Sequence, residues 1–479
     1  MRPVALCDPP SVFAAAPLAK SLRARLISSV EAIRRSPEKS FPQIFPADGY
    51  KAFDRMLHNP RVVERPPLAE VVADTLARLV GVERPLAIHD TTEMCFGGEV
   101  PRSGLGRLNK NNQGFLAHTC LAVALDRGRM PIGVLHLEPL VRTDAVRSGE
   151  TFSERYADPS RESQRWHRGV LAVEKAVGRP GLLTHVMDRE ADDFTLFFQM
   201  EQVGARFVVR QRVDRVLGSQ HPLRETLRTV QRVVQDLAVP VAARTISLSR
   251  RGSKRPPEQR KSHPDRDLRT ARVEISGTAL SMQRPSAADT TLPRELSINV
   301  VHVQEIDVPA GQEAVSWWLL TNLPVNTPEE ILAVVDAYLA RWIIEEFFKA
   351  LKTGCSYERR QLESFDALWI TLILLLPIAT RLLQLRHVAR EEPERPAAEV
   401  VTEEMIEVLR AAKRTRLPAA PTTQDILLAI AALGGHFKHN GPPGWLVLWR
   451  GMRDLNERVQ GWRDAMATMS TDATKIRDQ

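Results

Sequence analysis

The spacing of hydrophobic and polar residues changes several times along this 479-residue chain between a helical and a strand period. The clearest helical stretch covers residues 336–352. At 100° per residue, its polar side chains fall within an arc of roughly 80°. They are Tyr338, Arg341, Glu345, Lys349 and Lys352. The other side carries Ile343, Phe347, Ala350 and Leu351, which predicts a helix packed on a core.

Short apolar stretches separated by turn residues predict strands from about residue 66 onward. Three of them, at 86–90, 114–125 and 131–140, follow one another and predict an antiparallel meander. A helix at 166–177 leads into a further strand that ends at Asp188, and Asp90 ends the first strand in the same way. Each of two apolar strands therefore has an aspartate at its C-terminal end.

The rest of the chain divides by its pattern into a strand-rich and two helix-rich regions. Strand patterns occupy 205–210, 239–248, 272–275, 297–303 and 315–321. Helices dominate from residue 328 onward, and a charged, proline-bearing stretch at 390–421 predicts a boundary before a small helical module. The first 65 residues combine a helix with proline-rich breaks and predict a small helical unit.

Composition narrows the class of protein. A hydrophobic content of 43% with 26% charged residues is ordinary for a globular protein of about two to four domains. The net charge of +8 is concentrated, because residues 244–272 hold ten Lys or Arg and three acids. Such a segment favours a polyanionic partner, although a solvated basic loop would have the same composition.

Other features argue against several classes of function. The four cysteines show no CxxC spacing, which is typical of reduced thiols in a cytoplasmic protein. The apolar run at 367–380 contains Pro377 and is too short to cross a bilayer, so we expect a buried helix. The N-terminus has no long apolar segment for export. His89, His118 and His185 lie in apolar strands and are expected to be core histidines.

The spacing Tyr338-x2-Arg341-x3-Glu345-x6-Lys352, with both strand-end aspartates, resembles the Tyr-Arg-Glu-Lys signature of bacterial DDE transposases of the insertion-sequence-four family. The resemblance extends through residues 317–325, 352–361 and 379–386 and covers most of the chain. It implies an α/β fold class, with a ribonuclease-H-like catalytic core and a β-rich insertion, flanked by small N- and C-terminal helical domains.

The resemblance also implies a division into domains. Residues 1–65 would form a helical DNA-recognition domain. Residues 66–195 and 326–390 would form the catalytic core, interrupted by the β-rich insertion subdomain at 196–325. Residues 391–479 would form a helical C-terminal dimerisation module.

By the same resemblance, Asp90, Asp188 and Glu345 are the catalytic carboxylates and bind two Mg2+ or Mn2+ ions. Two such ions, about 3.5–4 Å apart, stabilise both the attacking and the leaving oxygen of a phosphodiester. The resemblance further implies a set of DNA-binding residues, namely Tyr338, Arg341, Lys349, Lys352 and Trp317. Arg210 is a further candidate for DNA contact, with an ordinary exposed strand arginine as the alternative. Trp317 would stack on a flipped base, a role that could instead fall to Trp318.

The implied function is cut-and-paste DNA transposition. The enzyme would bind terminal inverted repeats as a homodimer, cleave the transposon end through a DNA hairpin, and join that end to target DNA in the bacterial cytoplasm. Two alternatives stay open. A non-cutting end-binding regulator or domesticated descendant is compatible with the weaker N-terminal match. A ribonuclease-H-like nuclease is less compatible with the insertion and Trp317.

Overall fold

The computed structural model describes residues 6–98, 100–108, 112–142, 158, 161–219, 221–237, 239–248, 266–413, 415–437 and 441–477. They form two compact units. The first unit contains Met1–Glu83, Thr91–Val146 and Trp342–Gln479, and the second contains Arg84–Asp90 and Arg147–Arg341.

The helices and strands follow in chain order. The helices are α1 Lys20–Arg35, α2 Phe41–Ile44, α3 Ala47–Leu57, α4 Pro60–Val63, α5 Leu68–Leu79, α6 Arg165–Val177, α7 Phe194–Gln202, α8 Arg224–Leu227, α9 Val230–Leu237, α10 Pro328–Leu339, α11 Trp342–Lys349, α12 Phe365–Glu391, α13 Glu403–Ala411, α14 Thr423–Leu433 and α15 Trp445–Arg477. The strands are β1 Pro85–Phe96, β2 Gly106–Arg107, β3 Gln113–Ala124, β4 Met130–Leu140, β5 Thr184–Met187, β6 Arg206–Arg210, β7 Ala242–Leu248, β8 Arg269–Gln283, β9 Glu295–Ile306 and β10 Ser316–Thr321.

In the first unit, β3 pairs with β4 in antiparallel fashion from Leu116↔Leu140 to Ala124↔Met130, as the meander prediction requires. β3 also neighbours β1. The two strands approach so closely that a Cβ at Gly114 would lie 1.9 Å from the carbonyl oxygen of Met94. Only glycine fits there, because any side chain would overlap the backbone of β1.

The helix α12 forms the apolar centre of the first unit. Among the described residues it is the one helix long and apolar enough to cross a membrane. Of its most apolar 18-residue stretch, 78% is buried inside the structure. The prediction of a buried helix is confirmed, although the helix has 27 residues and continues through Pro377. Its burial is that of a core helix packed on protein.

The second unit is a mixed sheet covered by helices. Its strand order is β1-β5-β6-β10-β9-β8-β7, with β1 contributing its first half. β1, β5 and β6 are parallel, and the remaining strands pair in antiparallel fashion. The helices α6, α7 and α9 supply core residues such as Val170, Phe197 and Val233. This mixed α/β architecture agrees with the predicted α/β fold class.

The predicted helix over residues 336–352 is wrong as a single element. The chain forms α10 and α11 with a break at Ala340 and Arg341, then a π-helical turn at Ala350–Gly354. At the break, the Arg341 amide donates to the Tyr338 carbonyl at 3.0 Å, a bond across three residues that tightens the turn. The predicted core stripe is buried at Phe347, Ala350 and Leu351 but only half-buried at Ile343.

Candidate active site

Two parallel strands bring Asp90 and Asp188 to neighbouring positions in the second unit. The register of β1 and β5 pairs Leu86 with Thr184 and Ile88 with Val186. Continued by two residues, it places Asp90 opposite Asp188 where β5 ends. Adjacent strands lie about 4.8 Å apart, and side chains two residues apart point to the same face. The two carboxylates therefore rise from one face, Asp188 directly after β5 and Asp90 in the middle of β1, so the prediction that Asp90 ends its strand is wrong.

Both aspartates make polar contacts within the protein. Asp90 forms an ion pair with Arg341, whose Nη1 lies 3.1 Å from Oδ2, and both side chains are largely shielded from solvent. The Asp188 carboxylate accepts a hydrogen bond of 2.8 Å from the Glu190 amide. A cation and a backbone N–H donor thus orient the two carboxylates.

A buried hydrogen-bonded chain lies on the other face of the same strands. His89 Nε2 and His185 Nδ1 are 2.9 Å apart, and His185 Nε2 lies 2.9 Å from Oε1 of Glu174 on α6. Both histidines are fully buried. Because side chains alternate along a strand, His89 points away from the face that carries Asp90. The expectation that these histidines belong to the core is confirmed.

Positive side chains surround the end of β5. Burial lowers the pKa of Arg189 below its ordinary value, and the charge of Arg210 lowers it further, while Tyr338 and Asp188 act in the opposite direction. Arg210 Nη2 lies 3.5 Å from the Ser316 carbonyl. Sequence reasoning found Arg210 but missed Arg189. The position of Arg189 directly after Asp188 could have identified it as a residue of the candidate site.

The tandem tryptophans of β10 differ in their surroundings. Trp318 is buried and stacks on His302, with ring centroids 3.6 Å apart and an interplanar angle of 10°. Trp317 is half-buried and meets the Tyr338 ring edge-on at 5.6 Å. Tyr338 itself is only 7% exposed. Trp317 is therefore the one of the pair that adjoins a predicted DNA-binding residue.

The helix α11 belongs to the first unit and carries Glu345 in its first turn, where the helix dipole favours a negative charge. Glu345 is half-buried. Lys349, one turn later, lies 3.0 Å from the Glu346 carboxylate and 5.9 Å from the centre of the Trp342 ring. Trp342 is 47% exposed. An exposed aromatic ring beside a lysine is suited to nucleic acid, and sequence reasoning did not single it out.

Lys352 follows in the π-helical turn. Its Nζ donates a hydrogen bond to the Glu93 carbonyl of β1 and lies 3.5 Å from the Glu358 carboxylate. Its ammonium is thus held beside the second half of β1, within the first unit.

The acidic residues that follow Asp188 are structural. Asp193 caps α7 by accepting hydrogen bonds from the Thr195 and Leu196 amides. Asp192 instead accepts from the Arg212 and Val213 amides and forms an ion pair with Arg215. Glu190 pairs with Arg165 of α6. Asp193 is thus a helix cap, whereas Asp192 and Glu190 join the turn after β5 to other parts of the second unit.

The basic segment at 244–272 is described only at its two ends. There, Arg244 pairs with Asp336, Arg269 with Glu305, and Arg272 with Asp307. Residues 249–265, with most of the positive charge, lie outside the described residues.

The donor chemistry of Asp90 and Asp188 fits a hard divalent cation, because such ions prefer carboxylate oxygens. Within the described parts of the chain, however, no group of three or more His, Cys, Asp or Glu side chains is close enough to hold a metal ion. Asp90 and Asp188 are thus two candidate ligands on one face, and Glu345 is a third candidate on α11.

Comparison with known proteins agrees with this chemistry. Residues 175–380 match a family model described as "Transposase DDE domain". A cryo-EM structure of a piggyBac transposase synaptic complex with hairpin DNA matches over 80% of this chain and 72% of its own, at 11% identity and a TM-score of 0.32. A TM-score of this size does not establish a shared fold. The family match spans Asp188, Glu345 and the residues between them, and it supports a DDE transposase.

Proposed function

We propose that this chain is a DNA transposase that moves an insertion sequence by cut-and-paste, cleaving the ends of the element and joining them to target DNA. The observation that carries the proposal is the register of β1 and β5, which sets Asp90 opposite Asp188. Two carboxylates on one face of neighbouring parallel strands, one of them within residues 175–380 that match the DDE domain, are suited to phosphodiester chemistry.

In this proposal Asp90, Asp188 and Glu345 hold two Mg2+ or Mn2+ ions. When bound, the ions would activate the attacking oxygen and stabilise the leaving 3′ oxygen. The protein's own part is to orient the carboxylates. β1 and β5 fix the two aspartates on one face, and the Glu190 amide restrains Asp188.

The cationic and aromatic side chains that the resemblance implies as DNA contacts are proposed to bind DNA. Arg341 offers a planar guanidinium that matches a phosphate, and Tyr338 lies three residues before it. Lys349, Lys352 and Arg210 supply further positive charge, and Trp317 would stack on a flipped base during hairpin formation. In each case a DNA phosphate would compete with the protein group that the side chain now contacts.

Several finer assignments belong to the same proposal. They are membership of the insertion-sequence-four family near the transposon-five transposase, recognition of terminal inverted repeats by residues 1–65, and dimerisation through residues 391–479. Action on the nucleoid in the cytoplasm belongs with them. The helical character of both terminal regions is compatible with these roles.

The test is cleavage of a labelled duplex that ends in the inverted repeat flanking the gene, with Mg2+ present and products separated on a denaturing gel. We expect Asp90→Asn, Asp188→Asn and Glu345→Gln each to abolish nicking while DNA binding persists. Glu329→Gln, which changes an exposed carboxylate on α10, is the matched control and should cut normally. Metal-dependent nicking by all three variants would refute the assignment.

A further inference from the structure

Glu346, which follows the proposed catalytic Glu345, contacts the C-terminal helix α15. Glu346 Oε2 accepts a hydrogen bond of 3.0 Å from Trp445 Nε1, at the start of α15. The same oxygen forms an ion pair with Arg386 of α12, and Lys349 reaches Oε1 at 3.0 Å. The Arg386 guanidinium also lies 4.4 Å from the centre of the Trp445 ring. Glu346 thus joins three helices of the first unit.

A second contact connects the same helices one turn further along α15. Trp449 is 2% exposed and lies against Gly354, the last residue of the π-helical turn that contains Lys352. A Cβ at Gly354 would lie 1.8 Å from Trp449 Nε1. The indole therefore occupies space that only a glycine leaves open. Both ends of the segment from Glu345 to Lys352 accordingly rest on α15.

Tertiary contacts must set the orientation of this segment. α11 has eight residues, and an isolated helix of that length is not stable in water. Rotating α11 about its axis would move Glu345 and Glu346 together, because they are consecutive. Whatever fixes Glu346 therefore also fixes the direction of Glu345.

We propose that Glu346 is a positioning residue, which holds the helix of Glu345 in its metal-binding orientation through Arg386 and Trp445. The C-terminal helix is then part of the support of the active site, in addition to any role in dimerisation. This inference rests on the proposed function of Glu345.

The experiment compares Glu346→Gln and Trp445→Phe with the wild-type protein. Glu346→Gln keeps the size of the side chain and removes its charge, and Trp445→Phe removes the indole N–H donor while keeping an aromatic ring. We expect the Mn2+ concentration for half-maximal nicking, measured at saturating end DNA, to rise about tenfold or more. Mn2+ binding without turnover, followed by the electron paramagnetic resonance signal of free Mn2+, should weaken in parallel. Affinity for end DNA and the unfolding midpoint should change little.

The matched control is Glu404→Gln. Glu404 pairs with Arg463, on the same helix α15 but far along it from Trp445, so its loss should leave metal dependence at the wild-type value. If Glu346→Gln and Trp445→Phe both keep wild-type Mn2+ dependence, the positioning role is overturned while the transposase assignment stands. A wild-type protein that neither nicks nor binds Mn2+ would overturn the proposed function itself. Should Glu346→Gln fail to fold, Trp445→Phe decides, since it keeps an aromatic ring for Arg386 to lie over.

Discussion

At the scale of single residues, the two neighbouring tryptophans of β10 lie in different surroundings. Trp318 faces the core and stacks on His302, whereas Trp317 is half-buried beside Tyr338. Alternation along the strand accounts for the difference. Periodicity alone could show that one of the pair is buried but not which one, since that depends on which face the helices cover.

Trp317→Ala should keep first-strand nicking and lose most hairpin formation. Base stacking on an aromatic ring is worth about 1–3 kcal/mol, enough to hold a flipped base. Trp318→Ala should instead lower the free energy of unfolding by about 3–5 kcal/mol. Gel analysis of the products and urea unfolding separate the two effects. A selective hairpin defect in Trp318→Ala would transfer the stacking role to that residue.

His302 makes stability depend on pH. Burial lowers its pKa from 6.5 to about 4, so the unfolded chain binds a proton between these values that the folded protein does not. Stability should therefore fall as pH decreases from about 6.5 to 4 and stay level above that window. His302→Gln should reduce the slope of the urea midpoint in that window, and His58→Gln, at an exposed position, should leave it unchanged. An identical slope in both variants would contradict this explanation.

At the scale of elements, the sequence predicted most strands and helices well, including Asp188 directly after β5, whereas Asp90 was predicted to end its strand and lies in the middle of β1. The second half of β1, most of β8, and the helices α9 and α13 were missed. The break at Arg341 and the π-helical turn could not be read from periodicity. They coincide with contacts distant in sequence, from Arg341 to Asp90 and from Gly354 to Trp449. A local pattern carries no information about such partners.

The close approach of β3 to β1 predicts a sensitive position at Gly114. An alanine there would place its methyl group 1.9 Å from the Met94 carbonyl oxygen, so the strands would have to shift. We expect Gly114→Ala to lower the free energy of unfolding by about 1–3 kcal/mol. Gly97→Ala is the control, because a Cβ there meets nothing within 4 Å. Equal urea midpoints for both variants would show that the strands adjust without cost.

At the scale of the whole molecule, positive charge is concentrated in residues 244–272. If residues 250–255 bind DNA phosphates, a fourfold variant without their positive charges should bind DNA with a weaker dependence on salt. The variant neutralises Arg250, Arg251, Lys254 and Arg255. The slope of the logarithm of the binding constant against the logarithm of salt concentration should become shallower by about 0.9 for each phosphate that is no longer bound. Arg272→Gln, which changes an arginine already paired with Asp307, should change the slope less. An unchanged slope in the fourfold variant would show that these residues do not contribute to DNA binding.

The ion pair between Asp90 and Arg341 bears on the order in which the complex assembles. Arg341 already neutralises the Asp90 carboxylate, so we expect the protein to fold without a bound metal ion. Thermal unfolding in a chelator should accordingly match that in Mg2+ within a few degrees. Under the proposed function, a DNA phosphate that attracted Arg341 would remove the counter-ion of Asp90 and make Asp90 a better metal ligand. Binding of the transposon end would then activate cleavage. Without that DNA, the proposed enzyme would cleave phosphodiesters poorly and would leave other DNA intact.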